Sequence, residues 1–162
     1  MKLLKRFISA YTGEDLLLGI FSSEEKLNKA KSDYIESCQR EDTWGIQGYH
    51  EVNLEKDVNH AEIESYLDQE KSMESVFVLS NHLDGMGQVS RHFLFMSNIK
   101  MEVENRKKLF EEEDKKTREF TDGYKIVKVE VDKLYLPENE FPIYPDEPKN
   151  GSFLGKIKSF FT

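Results

Sequence analysis

The sequence predicts an α+β fold in which a ββαβ unit (strand, strand, helix, strand) occurs twice, with mostly antiparallel sheet and one helix packed across each copy. Two observations support this fold class. Residues 4–57 and 75–134 contain the same features in the same order: an apolar run, a glycine-bearing turn, a second apolar run and a charged helix. Each stretch then ends where apolar and charged residues alternate, which is typical of a half-buried strand. The shared order predicts an internal duplication; the alternative is that an α+β chain shows this order by chance.

Each copy begins with a predicted hairpin of two apolar strands. In the first copy the polar turn is Thr12-Gly13-Glu14-Asp15, and in the second it is Asp84-Gly85-Met86-Gly87. Glycine is favoured at a hairpin tip because the backbone there needs positive φ. Gly85-Met86-Gly87 is therefore predicted to be a turn and not a nucleotide-binding loop. A dinucleotide-binding motif needs a third glycine, where this chain has Ser90, and a following helix.

A charged helix is predicted after each hairpin, over residues 24–40 and 98–116. Ser22 and Glu25 match the S-x-x-E capping box, in which the serine oxygen accepts a free N–H of the first turn. Ser97 takes the corresponding position in the second copy. The apolar stripes expected to face the sheet are Leu27, Ala30, Tyr34 and Cys38 in the first helix and Ile99, Val103 and Phe110 in the second, with Leu109 beside the second stripe.

Alternating residues predict the third strands at 44–54 and 125–132, so that the copies span residues 1–57 and 75–136. Ile63, Tyr66 and Leu67 lie at helical spacing and predict a linking helix over residues 58–74.

The last part of the chain departs from the repeat. Residues 137–152 hold all four prolines and are predicted to form an extended acidic linker. An amphipathic tail, residues 153–162, follows this linker.

Residues 19–27 (GIFSSEEKL) resemble a pattern in short bacterial and phage proteins of the DUF7336-like families, best over residues 4–57. In those families a strand that ends in a Ser-Ser pair is followed by a helix and then by a further strand. Residues 49–54 correspond to that further strand. The second copy departs from the pattern at Met96-Ser97-Asn98. The resemblance implies a ββαβ fold and an origin in a mobile element, and it implies no chemical activity.

The chain of 162 residues has a net charge of −8, and 33% of its residues are charged. A negative field repels phosphate backbones, so it disfavours nucleic acid and favours a basic protein partner. Cys38 is the single cysteine, which excludes an intramolecular disulfide and favours a reducing compartment. Charged residues interrupt the apolar start, and no run approaches the length of a membrane span, so we expect a cytoplasmic protein that does not bind membranes.

His82, Asp84 and His92 are candidate metal ligands if the histidines share a face of the sheet. A loop of residues 85–86 would pair His82 with Val89 and put the histidines on opposite faces. A loop of residues 85–87 would pair His82 with Ser90 and put them on the same face, about 7 Å apart. A third ligand is missing in either case, so no metal or other cofactor is predicted.

No set of residues predicts catalysis. Cys38 lies on the apolar stripe of the first helix, where an inert buried thiol is expected. The acidic run at residues 111–114 is expected to be a solvated helix end. Catalytic residues are therefore predicted to be absent, and whether the chain is an enzyme stays open, with a non-enzyme favoured.

Two features are candidate partner-binding sites. Trp44, the single tryptophan, is either a partner anchor or the cover of a helix end. In the tail, five apolar residues lie on one face of a short helix, opposite Lys156 and Lys158: Phe153, Leu154, Ile157, Phe160 and Phe161. A helix of this length needs a surface to be stable, either its own sheet or a groove on a partner.

The sequence favours a non-enzymatic acidic cytoplasmic protein-binding factor of the immunity, inhibitor or phage accessory type. The alternative is a small-molecule binder or enzyme that uses a cleft between the two copies. Basic residues converging in such a cleft from both copies would favour an anionic ligand.

Overall fold

The computed structural model describes residues 1–9, 14–40, 46–47, 50–51, 53–85, 88–117, 123–138 and 141–142. The elements in chain order are β1 (Lys2–Ser9), β2 (Glu14–Phe21), α1 (Glu24–Arg40), β3 (Ile46–Gln47), β4 (His50–Glu51), α2 (Leu54–Asp57), β5 (Val58–Ala61), β6 (Glu64–Tyr66), β7 (Ser75–Gly85), β8 (Gln88–Ser97), α3 (Lys100–Thr117), β9 (Gly123–Glu130), β10 (Pro137–Glu138) and β11 (Phe141–Pro142). The chain is α+β with mainly antiparallel strand pairing, which confirms the α+β and antiparallel part of the predicted fold class.

The first half is a three-stranded antiparallel sheet covered by α1. β1 pairs with β2 along one edge and with β5 along the other. Leu27 and Tyr34 of α1 pack on Leu4, Leu16 and Leu18 of the sheet. The predicted stripe of α1 is buried throughout, because its members lie three or four residues apart on one side of the helix.

The second half is built around β7, which pairs antiparallel with β8 on one side and with β9 on the other. This confirms the predicted hairpin, whose strands pair as far as Gly85 and Gln88. Val103 of α3 packs on Leu79, Phe95 and Tyr124 of the sheet. β6 runs parallel to the end of β8, with Glu64 opposite Phe95.

The two halves belong to one seven-stranded sheet, because β2 of the first half also pairs in parallel with β8 at Glu14 and Arg91. The halves of this sheet pack against each other through the faces that the helices leave free. Leu3 and Leu17 come from the first half, and Val76, Val78 and Val129 from the second. All five are fully buried. Alternate residues of β1 and β7 point to opposite faces of the sheet, so each half contributes both to a helix-covered core and to this central core.

Residues 131–135, which we call the 131–135 segment, join the second half to β2 through backbone hydrogen bonds. The Asp132 N–H donates to the Ile20 carbonyl at 2.7 Å, and the Tyr135 N–H donates to the Leu18 carbonyl at 2.8 Å. A Cβ at Gly19 would lie 2.5 Å from the Lys133 carbonyl oxygen, which is closer than real Cβ atoms approach. The absence of a side chain at Gly19 therefore allows the 131–135 segment to lie against β2.

The N-cap of α1 is Ser23 and not Ser22, so the predicted capping box is wrong by one residue. The Ser23 Oγ accepts a hydrogen bond from the Lys26 N–H at 3.3 Å. Ser22 is used elsewhere, because its N–H and hydroxyl both donate to the Asp132 carboxylate at 2.8 Å. A local sequence pattern cannot show a partner that lies 110 residues away.

The third strand of the first half is β5, and the prediction of one continuous strand over residues 44–54 is wrong at Leu54, which begins α2. In the described part of that range β3 pairs with β4, and residues 44–45, 48–49 and 52 lie outside the described residues. The predicted linking helix over residues 58–74 is also wrong, since β5 and β6 occupy it. β5 pairs with the backbone edge of β1, and β6 pairs with the backbone edge of β8. These backbone pairings decide the structure of residues 58–66, although their apolar residues lie at helical spacing.

Other boundaries differ by about two residues. α3 begins at Lys100, and β9 ends at Glu130 because Asp132 leaves the strand with a left-handed φ of 63°. Within the predicted linker, β10 and β11 form a short antiparallel pair, and β11 contacts β2. The tail lies outside the described residues.

Candidate functional site

The residues predicted to bind a partner lie outside the part of the chain that the structure describes. These are Trp44, Phe153, Leu154, Ile157, Phe160 and Phe161. Their role remains a prediction from the sequence.

The two histidines of the second hairpin lie on opposite faces of the sheet. His82 pairs with Arg91 and Asn81 pairs with His92, so the actual register differs from both predicted ones. β7 extends to Gly85, so residues 86 and 87 alone connect the strands. Among the described residues, no three His, Cys, Asp or Glu side chains come close enough to hold a metal ion.

His82 and Ser80 form a pair that resembles a nucleophile with its base. His82 Nε2 lies 3.1 Å from Ser80 Oγ. However, burial lowers the pKa of His82 to about 4, assisted by the positive charges of Arg91 and Lys125. Such an imidazole is a weak base at neutral pH, and the buried Ser80 is closed to a substrate. The pair therefore has a structural role.

Three buried carboxylates stabilise the fold locally. Asp15 binds Lys5 at 2.7 Å, and Asp57 accepts the Asn53 N–H at 2.8 Å. Asp114 belongs to the acidic run that was expected to be solvated, yet it is buried and accepts a hydrogen bond from the Tyr124 hydroxyl at 2.7 Å. The expectation is wrong at this position because Asp114 continues the inward-facing line of Val103 and Phe110.

A buried arginine ties β1 to α1. Arg6 is only 3% exposed, its Nη1 donates to the Tyr34 hydroxyl at 3.0 Å, and its guanidinium lies 6.0 Å from the centre of the Tyr34 ring. Burial raises the pKa of Tyr34 to about 12, although the nearby Arg6 opposes this shift. The phenol is therefore neutral at physiological pH and acts as a hydrogen-bond acceptor for the guanidinium.

The described surface carries a groove of about 290 Å³ between β6 and α3. We call it the β6–α3 groove. Phe95 lies at its floor, and Tyr66 and Leu109 line its two sides. The helical residues in its wall recur at positions 102, 105, 106 and 109, which is one face of α3.

Arg106 lies across the floor of the groove. Its guanidinium lies 5.1 Å from the centre of the Phe95 ring and forms an ion pair with Glu64 of β6. This contact links helix to strand across the floor of the groove. Glu102, also in the wall, makes no ion pair with the described residues.

Two exposed apolar side chains line this groove. Four large hydrophobic residues of the described chain are exposed: Tyr66 (53%), Met101 (64%), Leu109 (58%) and Leu136 (52%). Tyr66 and Leu109 line the groove, whereas Met101 and Leu136 are not among its lining residues.

Sequence reasoning missed this groove, although α3 carried a signal for it. Leu109 was placed beside the buried stripe, and Met101 was left unassigned. Apolar residues off the buried face of a charged helix indicate a second contact surface. The partner strand β6 could not be found, because its residues were predicted to be helical.

Buried apolar residues fill the space between the two halves, so a cleft-based ligand site there finds no support among the described residues. Lys5 of the first half forms an ion pair with Asp15 at 2.7 Å. No helix among the described residues is long and apolar enough to cross a membrane. Comparison with protein-family models, curated proteins and solved structures finds no match for this chain.

Proposed function

We propose that this chain is a non-enzymatic, acidic protein-binding factor that binds a basic partner segment in the β6–α3 groove. The observation that carries the proposal is that exposed Tyr66 and Leu109 line the two sides of one groove. Interfaces depend on a few apolar anchors. Tyr66 and Leu109 offer such anchor points for an aromatic or aliphatic side chain of the partner.

Charge supports a basic partner. The chain carries a net charge of −8, and Glu102 in the groove wall makes no ion pair with any residue that the structure describes. Opposite charge on the partner would raise the association rate and favour it over acidic competitors. A cytoplasmic immunity, inhibitor or phage accessory role is consistent with this binding mode and with the resemblance of residues 19–27.

We also propose that the two halves arose by duplication. β5 pairs with the outer edge of β1 as β9 pairs with the outer edge of β7. In each half a helix lies between the hairpin and this third strand. The equivalent pairing supports a common ββαβ origin, with the third strand of the first copy at β5.

A random peptide library displayed on phage and selected on the full chain tests the function. We expect enriched peptides to combine an aromatic or branched aliphatic anchor with flanking lysine or arginine. Their binding should weaken as salt rises, because the charge on the partner is screened. Enrichment of acidic peptides, or no enrichment over an unrelated acidic protein, would overturn the proposal.

A further inference from the structure

We infer that the amphipathic tail of this chain, residues 153–162, occupies the β6–α3 groove in cis and competes there with the partner segment. The inference rests on the proposed function for the competing partner, and it adds a means of regulation. It follows from three features: the chemistry of the tail, the chemistry of the groove and the length of chain between them.

The chemistry of the two surfaces is complementary. The apolar residues of the tail recur at helical spacing in the sequence and end in Phe160 and Phe161, with Lys156 and Lys158 among them. The groove presents the exposed Tyr66 and Leu109, together with Glu102, which makes no ion pair with the described residues. The tail thus carries the features proposed for the partner: a bulky apolar anchor next to a positive charge.

The connecting chain is long enough to reach the groove. β11 ends at Pro142, and eleven steps of the backbone separate it from Phe153. At about 3.3 Å per residue this length spans up to ~36 Å. A compact domain of this size has a radius of gyration of about 15 Å, so the reach matches its diameter.

Tethering makes the tail an effective competitor even if its intrinsic affinity is weak. A tether of this length gives the tail an effective concentration in the millimolar range. A tail segment with a dissociation constant of about 0.1 mM would then fill the groove about 90% of the time and weaken a partner about tenfold. Removing the anchors of the tail should restore the full affinity of the partner.

Paramagnetic relaxation in the full chain tests the location of the tail. Gly155→Cys in a Cys38→Ala background provides a single site for a nitroxide label. We expect strong broadening of the backbone amides of residues 64–66 and 102–109. Adding Leu109→Glu should remove this broadening, whereas Leu136→Glu, an equal change at an exposed leucine that does not line the groove, should leave it unchanged.

A label-free measurement covers the case in which the Cys38→Ala background fails to fold. In the otherwise unchanged chain, Phe160→Glu should shift the amide resonances of the same groove residues. Unchanged groove resonances, or shifts confined to another surface, would overturn the inference.

A mixed sample separates binding in cis from binding by a second copy. It combines a labelled chain without ¹⁵N and a ¹⁵N chain without the label. Broadening of the groove in the mixed sample at the strength seen within one chain would assign the groove to a second copy and overturn the cis inference. Loss of the tail contact with retained selection of groove-binding peptides would refute the inference and leave the proposed function standing.

Discussion

Asp132 joins the two halves by hydrogen bonds, and its backbone has a left-handed conformation that non-glycine residues seldom adopt. Its φ of 63° turns the chain out of β9, and its carboxylate accepts hydrogen bonds from Ser22 and from Lys26 Nζ at 2.5 Å. Burial works against the carboxylate charge, but the bonds from Lys26 and Ser22 prevail and lower its pKa. The sequence shows Asp132 as one more charge in an alternating strand, because its partners are distant in the chain.

The structural role of Gly19 cannot be predicted from the sequence, because the residue that it approaches, Lys133, is distant in the chain. We predict that Gly19→Ala destabilises the fold by about 1–3 kcal/mol, because the new methyl group would displace the backbone of the 131–135 segment at Lys133. Denaturant unfolding measures the change. Gly123→Ala is the matched control, since its Cβ would meet the His82 carbonyl oxygen at an acceptable 3.4 Å. Equal effects at the two glycines would contradict the close approach.

His82 predicts a specific dependence of stability on pH. The pKa of this imidazole falls from 6.5 to about 4 on folding, so between these values the unfolded chain takes up a proton that the folded chain does not. Stability should therefore decrease as pH falls from 6.5 to 4. In His82→Gln the unfolding midpoint should fall less over this window, whereas His60→Gln, at an exposed histidine, should keep the wild-type slope. Parallel slopes in all three proteins would refute the assignment.

At the scale of elements, the sequence predicted those whose signal is local. α1 and the second hairpin follow from apolar spacing and turn residues, and both are confirmed. β5 and β6 were missed because each is short and is stabilised by an open strand edge. The β6–α3 groove was missed with β6, since one of its walls had been assigned to a helix.

The two serines before α1 should respond differently to substitution. Ser23→Ala removes the N-cap and should cost about 1 kcal/mol in any background. Ser22→Ala removes a bond to Asp132, so its cost should largely vanish in an Asp132→Ala background. Unfolding free energies of the single and double variants measure this coupling. A cost for Ser22→Ala that is independent of Asp132 would show that the capping box assigned from the sequence was correct.

At the scale of the whole molecule, the two halves are joined by a shared core. Leu17 is fully buried in the core between the two halves, so Leu17→Ala should lower the free energy of unfolding by about 2–5 kcal/mol. Fluorescence and circular dichroism should still report one transition, because neither half keeps a complete core alone. Leu136→Ala, at an exposed leucine, should change stability by less than about 0.5 kcal/mol. Two separate transitions would contradict a common core.

The most direct measurement of the central claim is the dissociation constant of a selected basic peptide for the chain with Leu109→Glu. Loss of an apolar anchor of the β6–α3 groove should weaken binding at least 30-fold, equivalent to about 2 kcal/mol, even though the peptide is basic. Leu136→Glu adds the same charge at an exposed leucine that is absent from the groove lining and should leave the constant within about twofold of wild type. If both variants bind as the wild type does, the β6–α3 groove is not the binding surface.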